Sequence, residues 1–194
     1  MKILSAAFFK SAHTAAQLKG TSLPEIAFSG RSNVGKSSLI NCLLNRRGLA
    51  KTSSTPGRTQ AVNFIDVNGA FYFVDLPGYG YAKVPEAMRR KWGGLIASYL
   101  ENSQSLKLVI LIVDPRRDPS EDEILFIRWL LERDIPAIAV LTKIDKIGMN
   151  MRQKSLGAWK KILGIETVLL FSALSGEGKD KIWKEINGYL SGKT

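Results

Sequence analysis

The sequence predicts one α/β domain: a mostly parallel six-stranded sheet with one antiparallel edge strand and helices on both faces. Three observations predict it. Apolar runs alternate with amphipathic segments along the chain, as where helices join parallel strands. Several of those runs are continuously apolar, as strands covered on both faces require. One Asn-Gly pair, Asn68-Gly69, separates two strand-like runs and marks a hairpin, hence an antiparallel neighbour.

Each element has its own warrant. Ile26–Ser29 is a short apolar run entering a glycine-rich loop, and Ser37–Asn45 after the loop reads as a helix. Val62–Val67 and Phe71–Asp75 are the hairpin strands. Pro85–Leu100 has helical period. Leu106–Val113 is apolar apart from Lys107, as in a strand buried on both faces. Ser120–Arg133 is a helix with Glu121, Asp122 and Glu123 in its first turn, where the dipole favours acids. Ala137–Leu141 is a buried strand, Met151–Leu163 a helix, Thr167–Phe171 a strand and Asp180–Leu190 the last helix. Residues 1–23 form a leader packing on or near the domain, which spans 24–194. Ligands of such sheets bind at the carboxyl ends of the strands.

Bulk composition narrows the class. The 194 residues, 45% hydrophobic, suffice for one core. The single cysteine, Cys42, forms no internal disulfide and fits a reducing, cytoplasmic setting. With one histidine, His13, there is no zinc cluster and no Ser-His or Cys-His pair. His13 is expected at the surface. Lys10 and His13 interrupt the apolar start, so it makes a poor signal peptide. No apolar run reaches the roughly 18 residues of a membrane span.

The charge is one-sided. The formal net charge is +11. No acid occurs from Ile26 to Ile65, where Arg31, Lys36, Arg46, Arg47, Lys51 and Arg58 lie. None occurs from Lys146 to Ile165, where Arg152, Lys154, Lys160 and Lys161 lie. Such asymmetry points to a polyanionic partner, nucleic acid or an anionic membrane surface; the alternative is a solvated basic surface.

Gly30-Arg31-Ser32-Asn33-Val34-Gly35-Lys36-Ser37, followed by Ser38, matches the phosphate-binding loop pattern. Its glycines let backbone N–H groups turn toward an anion, and the following helix adds its positive dipole end. Lys36 can reach the β- and γ-phosphates, and the Ser37 hydroxyl can ligate Mg²⁺.

Two further patterns name the base and the nucleotide state. Asp75-Leu76-Pro77-Gly78 follows a strand. There a carboxylate can hold Mg²⁺ through water, and Gly78 can offer its N–H to a γ-phosphate. Thr142-Lys143-Ile144-Asp145 follows another strand. Asp145 can accept from guanine N1–H and the 2-amino group, whereas adenine offers neither donor and leaves the carboxylate unpaired. Lys143 can lie along the base plane. Ser172-Ala173-Leu174, after the last strand, can offer a backbone N–H to guanine O6.

These motifs, with Ser54-Thr-Pro-Gly-Arg-Thr-Gln60 and Asp75-Leu-Pro-Gly-Tyr-Gly-Tyr-Ala82, resemble those of the EngB (YihA/YsxC) family. That family lies in the TrmE–Era–EngA–EngB group of P-loop GTPases, and the resemblance runs from about Pro24 to Leu190. It implies GTP/GDP and Mg²⁺ as ligands, a role in large ribosomal subunit assembly, and a need for the protein in normal cell division and septation. It implies that Arg47–Gln60 is switch I, with Gly57, Arg58 and Thr59 at the nucleotide, and Pro77–Lys91 is switch II. Thr59 aligns with the threonine that ligates Mg²⁺ and senses the γ-phosphate; Thr55 competes, but Thr59 sits just before the Ala61–Val67 strand. The metal ligands are then Ser37, Thr59 and Asp75, and the catalytic candidates Lys36, Thr59, Gly78 and Asn33.

Tyr79 stands where related enzymes carry a water-orienting glutamine, which implies slow intrinsic hydrolysis helped by K⁺ or the ribosome. Asn33 stands where relatives carry an asparagine that helps bind K⁺; the other reading is a loop residue bonding its own backbone. Arg58 is a charge stabiliser or faces solvent or RNA.

The leading functional expectation is a monomeric GTP-controlled switch on ribosomal RNA or the large-subunit precursor. Its basic stretches 46–58, 83–91 and 152–161 would meet phosphates. Within 152–161, the alternative is a solvated helix face, with Trp159 in the core. A second expectation is a septation protein acting through protein partners. A third, a small-molecule kinase, lacks an acceptor site.

Overall fold

The computed structural model describes residues 1–19, 21–50, 61–78 and 86–192, with side chains from 86 to 93 left aside. Seven strands form one sheet in the order β1-β3-β4-β2-β5-β6-β7. They are β1 (Ala6–Ala12), β2 (Glu25–Gly30), β3 (Val62–Val67), β4 (Phe71–Asp75), β5 (Leu106–Val113), β6 (Ala137–Leu141) and β7 (Val168–Leu170). The helices are α1 (Lys36–Leu43), α2 (Glu86–Asn102), α3 (Glu121–Leu131), α4 (Met149–Leu163) and α5 (Lys179–Leu190).

The fold class is the expected one, and the strand count is seven rather than six. The extra strand comes from the leader. Ala6–Ala12 pairs antiparallel with β3, in a register that slips between Phe8 and Lys10. β3 also pairs antiparallel with β4. The antiparallel strand is therefore second from the edge, and the leader covers it. Lys10 secures the leader: its ammonium donates to the Gln17 and Lys19 carbonyls at 3.1 and 2.8 Å and lies 4.9 Å from the Phe64 ring centroid.

The β3–β4 turn follows from its two residues. Asn68 and Gly69 both take positive φ, 59° and 61°, as a type I′ hairpin requires. The remaining pairs, β4–β2, β2–β5, β5–β6 and β6–β7, are parallel.

Alternation along the strands splits the core into two layers. Ile26, Phe28, Phe73, Ile110 and Ile112 face α1 and α5, with Leu39, Ile40, Trp183 and Ile186. There the Phe73 and Trp183 rings stack at 5.7 Å. Ala27, Val74, Val109, Leu111 and Val113 face the other side, with Tyr99, Ile127, Leu130 and Trp159. Because β5 is covered on both faces from Leu108 to Val113, its run there is continuously apolar. Trp159 is core, as expected, and His13 is exposed. At the start of α3, Ser120 and Glu123 form a reciprocal capping box.

Candidate nucleotide-binding site

The phosphate loop leaves β2 at Gly30 and enters α1 at Lys36. Steric crowding dictates its glycines. A Cβ on Gly30 would stand 2.6 Å from the Ile112 carbonyl oxygen, inside any tolerable contact. Gly35, with φ 111°, precedes the helix in a conformation that side chains avoid. Asn33 takes φ 62°, a left-handed value that Asn accepts more readily than most residues. Arg31 and Val34 close the turn through an N–H to carbonyl bond of 3.2 Å. Ser37 and Ser38 occupy the first turn of α1, partly exposed.

The strand pairing delivers the second motif to the same place. β4 lies beside β2, and the Leu76 N–H donates to the Phe28 carbonyl at 3.0 Å. Asp75, 5% exposed, thereby reaches the Lys36 ammonium and forms an ion pair with it. Leu76 and Pro77 are buried. Gly78 comes to rest against the loop: a Cβ there would lie 3.1 Å from the Ser32 hydroxyl and 3.4 Å from the Gly30 carbonyl.

The third motif is tied to the first by two bonds. Thr142, at the end of β6, donates its hydroxyl to the Val34 carbonyl at 2.6 Å, with the Val113 carbonyl at 3.1 Å. Lys143, with φ 57°, donates its ammonium to the Asn33 carbonyl at 2.7 Å. Ile144 is buried and anchors the turn, and Asp145 is exposed beyond it.

The fourth motif closes on the third. The Ser172 hydroxyl, fully buried two residues beyond β7, donates to Asp145 Oδ1 at 2.5 Å. That bond is the main reason the Asp145 carboxyl lies below its ordinary pKa, with the Lys146 and Arg152 charges assisting. The Ser172 oxygen also accepts the Leu174 N–H at 3.2 Å. Ala173 and Leu174 stand exposed beside Asp145.

The expected residues from Gly30 to Ser38, 75–78, 142–145 and 172–174 therefore share the carboxyl end of the sheet. Gly57, Arg58 and Thr59, the competitor Thr55, and Tyr79 lie outside the described residues. The donor set fits a magnesium nucleotide. A serine hydroxyl and a buried carboxylate are the hard oxygen ligands Mg²⁺ takes, and the crowded glycines leave main chain where phosphates would lie.

A family model described as 50S ribosome-binding GTPase matches residues 25–143. The probable GTP-binding protein EngB of Geotalea daltonii is 53% identical over 189 residues, covering 96% of this chain and 91% of that protein. The probable GTP-binding protein EngB of Geobacter metallireducens is 48% identical over 193 residues, covering 98% and 95%.

The chain belongs to the EngB family of P-loop GTPases.

A crystal structure of a probable GTP-binding protein engB matches this EngB-family chain with a TM-score of 0.72 at 25% identity, over 86% of this chain and 98% of that one. Era of Aquifex aeolicus, bound to GDP·AlF4⁻, shares the fold with a TM-score of 0.68 at 24% identity, over 87% of this chain and 57% of that one.

One charged residue at the EngB site escaped sequence reasoning. Asp114 follows β5 and is 7% exposed. Burial opposes its charge, yet the two-pronged Arg116 guanidinium (2.6 and 2.9 Å), the Arg116 N–H and the Lys143 ammonium hold its carboxyl well below the usual range. The Asp-Pro-Arg-Arg stretch reads in sequence as an ordinary loop. The signal lies in the parallel pairing of β5 with β6, which sets Asp114 beside Thr142 and Lys143.

Proposed function

We propose that this chain is a GTP-hydrolysing switch that binds ribosomal RNA on a large-subunit precursor. The observation that carries the reading is the convergence of loop, Asp75, Lys143, Asp145 and Ser172 at one end of the sheet. In this reading the loop amides and Lys36 hold the triphosphate, and Asp145 takes guanine through two donors that adenine lacks. Ser37, Thr59 and Asp75 would hold Mg²⁺, which would supply positive charge at the phosphates when bound. The Lys36 ammonium then exchanges its partner Asp75 for phosphate oxygens, and Gly78 meets the γ-phosphate through its N–H. Thr59 and the segment after Gly78 sense whether that phosphate is present.

Hydrolysis is slow without help, because Tyr79 has no side-chain amide with which to orient water. Asn33 would help hold K⁺, which would supply charge at the phosphates; equal rates in K⁺ and Na⁺ buffers would remove that ligand.

The partner assignment rests on the family description, the +11 charge and the exposed Lys154, Lys160 and Lys161 on α4. Arg152 is the exception in that stretch, since it bonds Glu177 at 3.0 Å. The protein works as a monomer in the cytoplasm, and its part in cell division follows from ribosome supply. Among the described residues no helix is long and apolar enough to cross a membrane. The test is co-sedimentation with ribosomal subunits. GTP-dependent recovery with the large-subunit precursor supports the reading; recovery with division proteins alone shifts it to a septation switch acting through proteins.

A further inference from the structure

We propose that Asp114 is a positioning residue for the guanine end of the site: its carboxylate holds the Lys143 ammonium against the Asn33 carbonyl. The proposal rests on the nucleotide reading given above.

The geometry is a three-way junction. Lys143 Nζ is 2.7 Å from the Asn33 carbonyl and 3.3 Å from Asp114 Oδ2. A carbonyl alone is a weak tether for an ammonium on a four-carbon stem. A buried carboxylate adds charge from a fixed direction, since Asp114 is anchored through its own backbone to β5. Lys143 starts from a left-handed backbone at 28% side-chain exposure, so its stem has freedom to swing outward. Pinning the ammonium lays the stem along the loop, and one face of the purine is then presented with a flat hydrocarbon edge before nucleotide arrives. Such pre-ordering lowers the entropy lost on binding.

Arg116 offers a competing explanation for Asp114. Its guanidinium bonds both Asp114 oxygens, and on that account the carboxylate serves only to fold the loop after β5. The two roles make opposite demands on Arg116. If Asp114 acts through Lys143, Arg116 is dispensable for nucleotide binding. If Asp114 merely holds the loop, loss of Arg116 hurts as much as loss of the carboxylate.

The experiment titrates the full chain with fluorescent GDP in four forms beside the wild type: Asp114→Asn, Arg116→Met, Lys143→Met, and Asp114→Asn with Lys143→Met. Asp114→Asn keeps the shape and removes the charge. It should weaken GDP binding by about three- to tenfold, the scale of a partly exposed pair that orders a ligand-facing side chain. Arg116→Met should bind GDP within about twofold of wild type. The double variant should be no weaker than Lys143→Met alone, because the carboxylate then has no ammonium to place. Wild-type affinity in Asp114→Asn overturns the proposal, as does full additivity in the double variant. So does a loss of about threefold or more in Arg116→Met, and this arm, read against wild type alone, stands even where Asp114→Asn fails to fold. Failure of the wild type itself to bind GDP would instead strike the nucleotide reading.

Discussion

Ser172 and Asp145 are 27 residues apart in sequence, and their side chains meet at 2.5 Å. The hydroxyl comes from two residues beyond β7 and the carboxylate from the turn after β6, so two adjacent strand ends meet in one hydrogen bond at the carboxyl end of the sheet. On the proposed reading, the charge of Asp145 and the oxygen that Ser172 does not bond would discriminate guanine from adenine.

Replacing Asp145 by Asn tests that assignment directly. The amide keeps one acceptor and turns the other into a donor, which opposes the guanine 2-amino group. Hydrogen bonds to charged groups contribute about 1.5–3 kcal/mol each. GDP affinity should therefore fall by at least about a hundredfold, while xanthosine diphosphate, with a carbonyl at that position, should bind better than it does to wild type. Calorimetric titration with both nucleotides reads the outcome; unchanged GDP binding refutes the role.

Ser172→Ala removes the bond that favours the ionised Asp145. The carboxyl pKa then rises toward its ordinary value, whereas in the wild type it lies below it. If binding needs the carboxylate, affinity is full above that pKa and is lost as pH falls through it. In Ser172→Ala the loss should begin at higher pH. GDP titrations across the acid range should show the limb displaced upward; coincident profiles would mean that Ser172 does not govern Asp145.

Gly30→Ala places a methyl group 2.6 Å from the Ile112 carbonyl oxygen, where only main chain can yield. β2 and β5 would have to part at the strand end that opens the loop. Overpacking of this kind costs about 1–3 kcal/mol. Urea unfolding should show that loss of stability, and nucleotide binding should drop with it.

Lys154, Lys160 and Lys161 are exposed on α4, away from the buried Trp159 and Leu163. Changing all three to Ala should leave the unfolding midpoint nearly where it was. If they meet RNA phosphates, the slope of log affinity against log salt should become shallower by up to about three. An unaltered slope in RNA binding would place the phosphate contacts elsewhere on the surface.

The parts of this molecule legible in sequence are those in which local chemistry decides the outcome. Leu106–Val113 and Ala137–Leu141 are strands with the expected bounds, because both-face burial leaves an unbroken apolar run. The Asn68-Gly69 turn and the phosphate loop are set by backbone demands that few residues meet. What escaped is set by distant partners. In β1, Ala7, Phe8 and Phe9 are all exposed and the register slips, so no period-two signal exists. Glu25, 1% exposed, opens an apolar strand; besides the nearby Thr21 hydroxyl, its partners are the Tyr99 hydroxyl at 2.8 Å and the Ser103 hydroxyl at 2.7 Å, more than seventy residues downstream. Asp114 is the same case at the site itself, since its ammonium partner arrives only through strand pairing.

The seat of β1 has a consequence for the order of events during synthesis. At the far side of the sheet, β5, β6 and β7 are laid down outward in the order in which they are translated. β1 has no neighbour to join until β3, some fifty residues later, has left the ribosome and met β4. For that interval the nascent chain carries Phe8 and Phe9 with their backbone bare, a sticky stretch of the kind that chaperones shield.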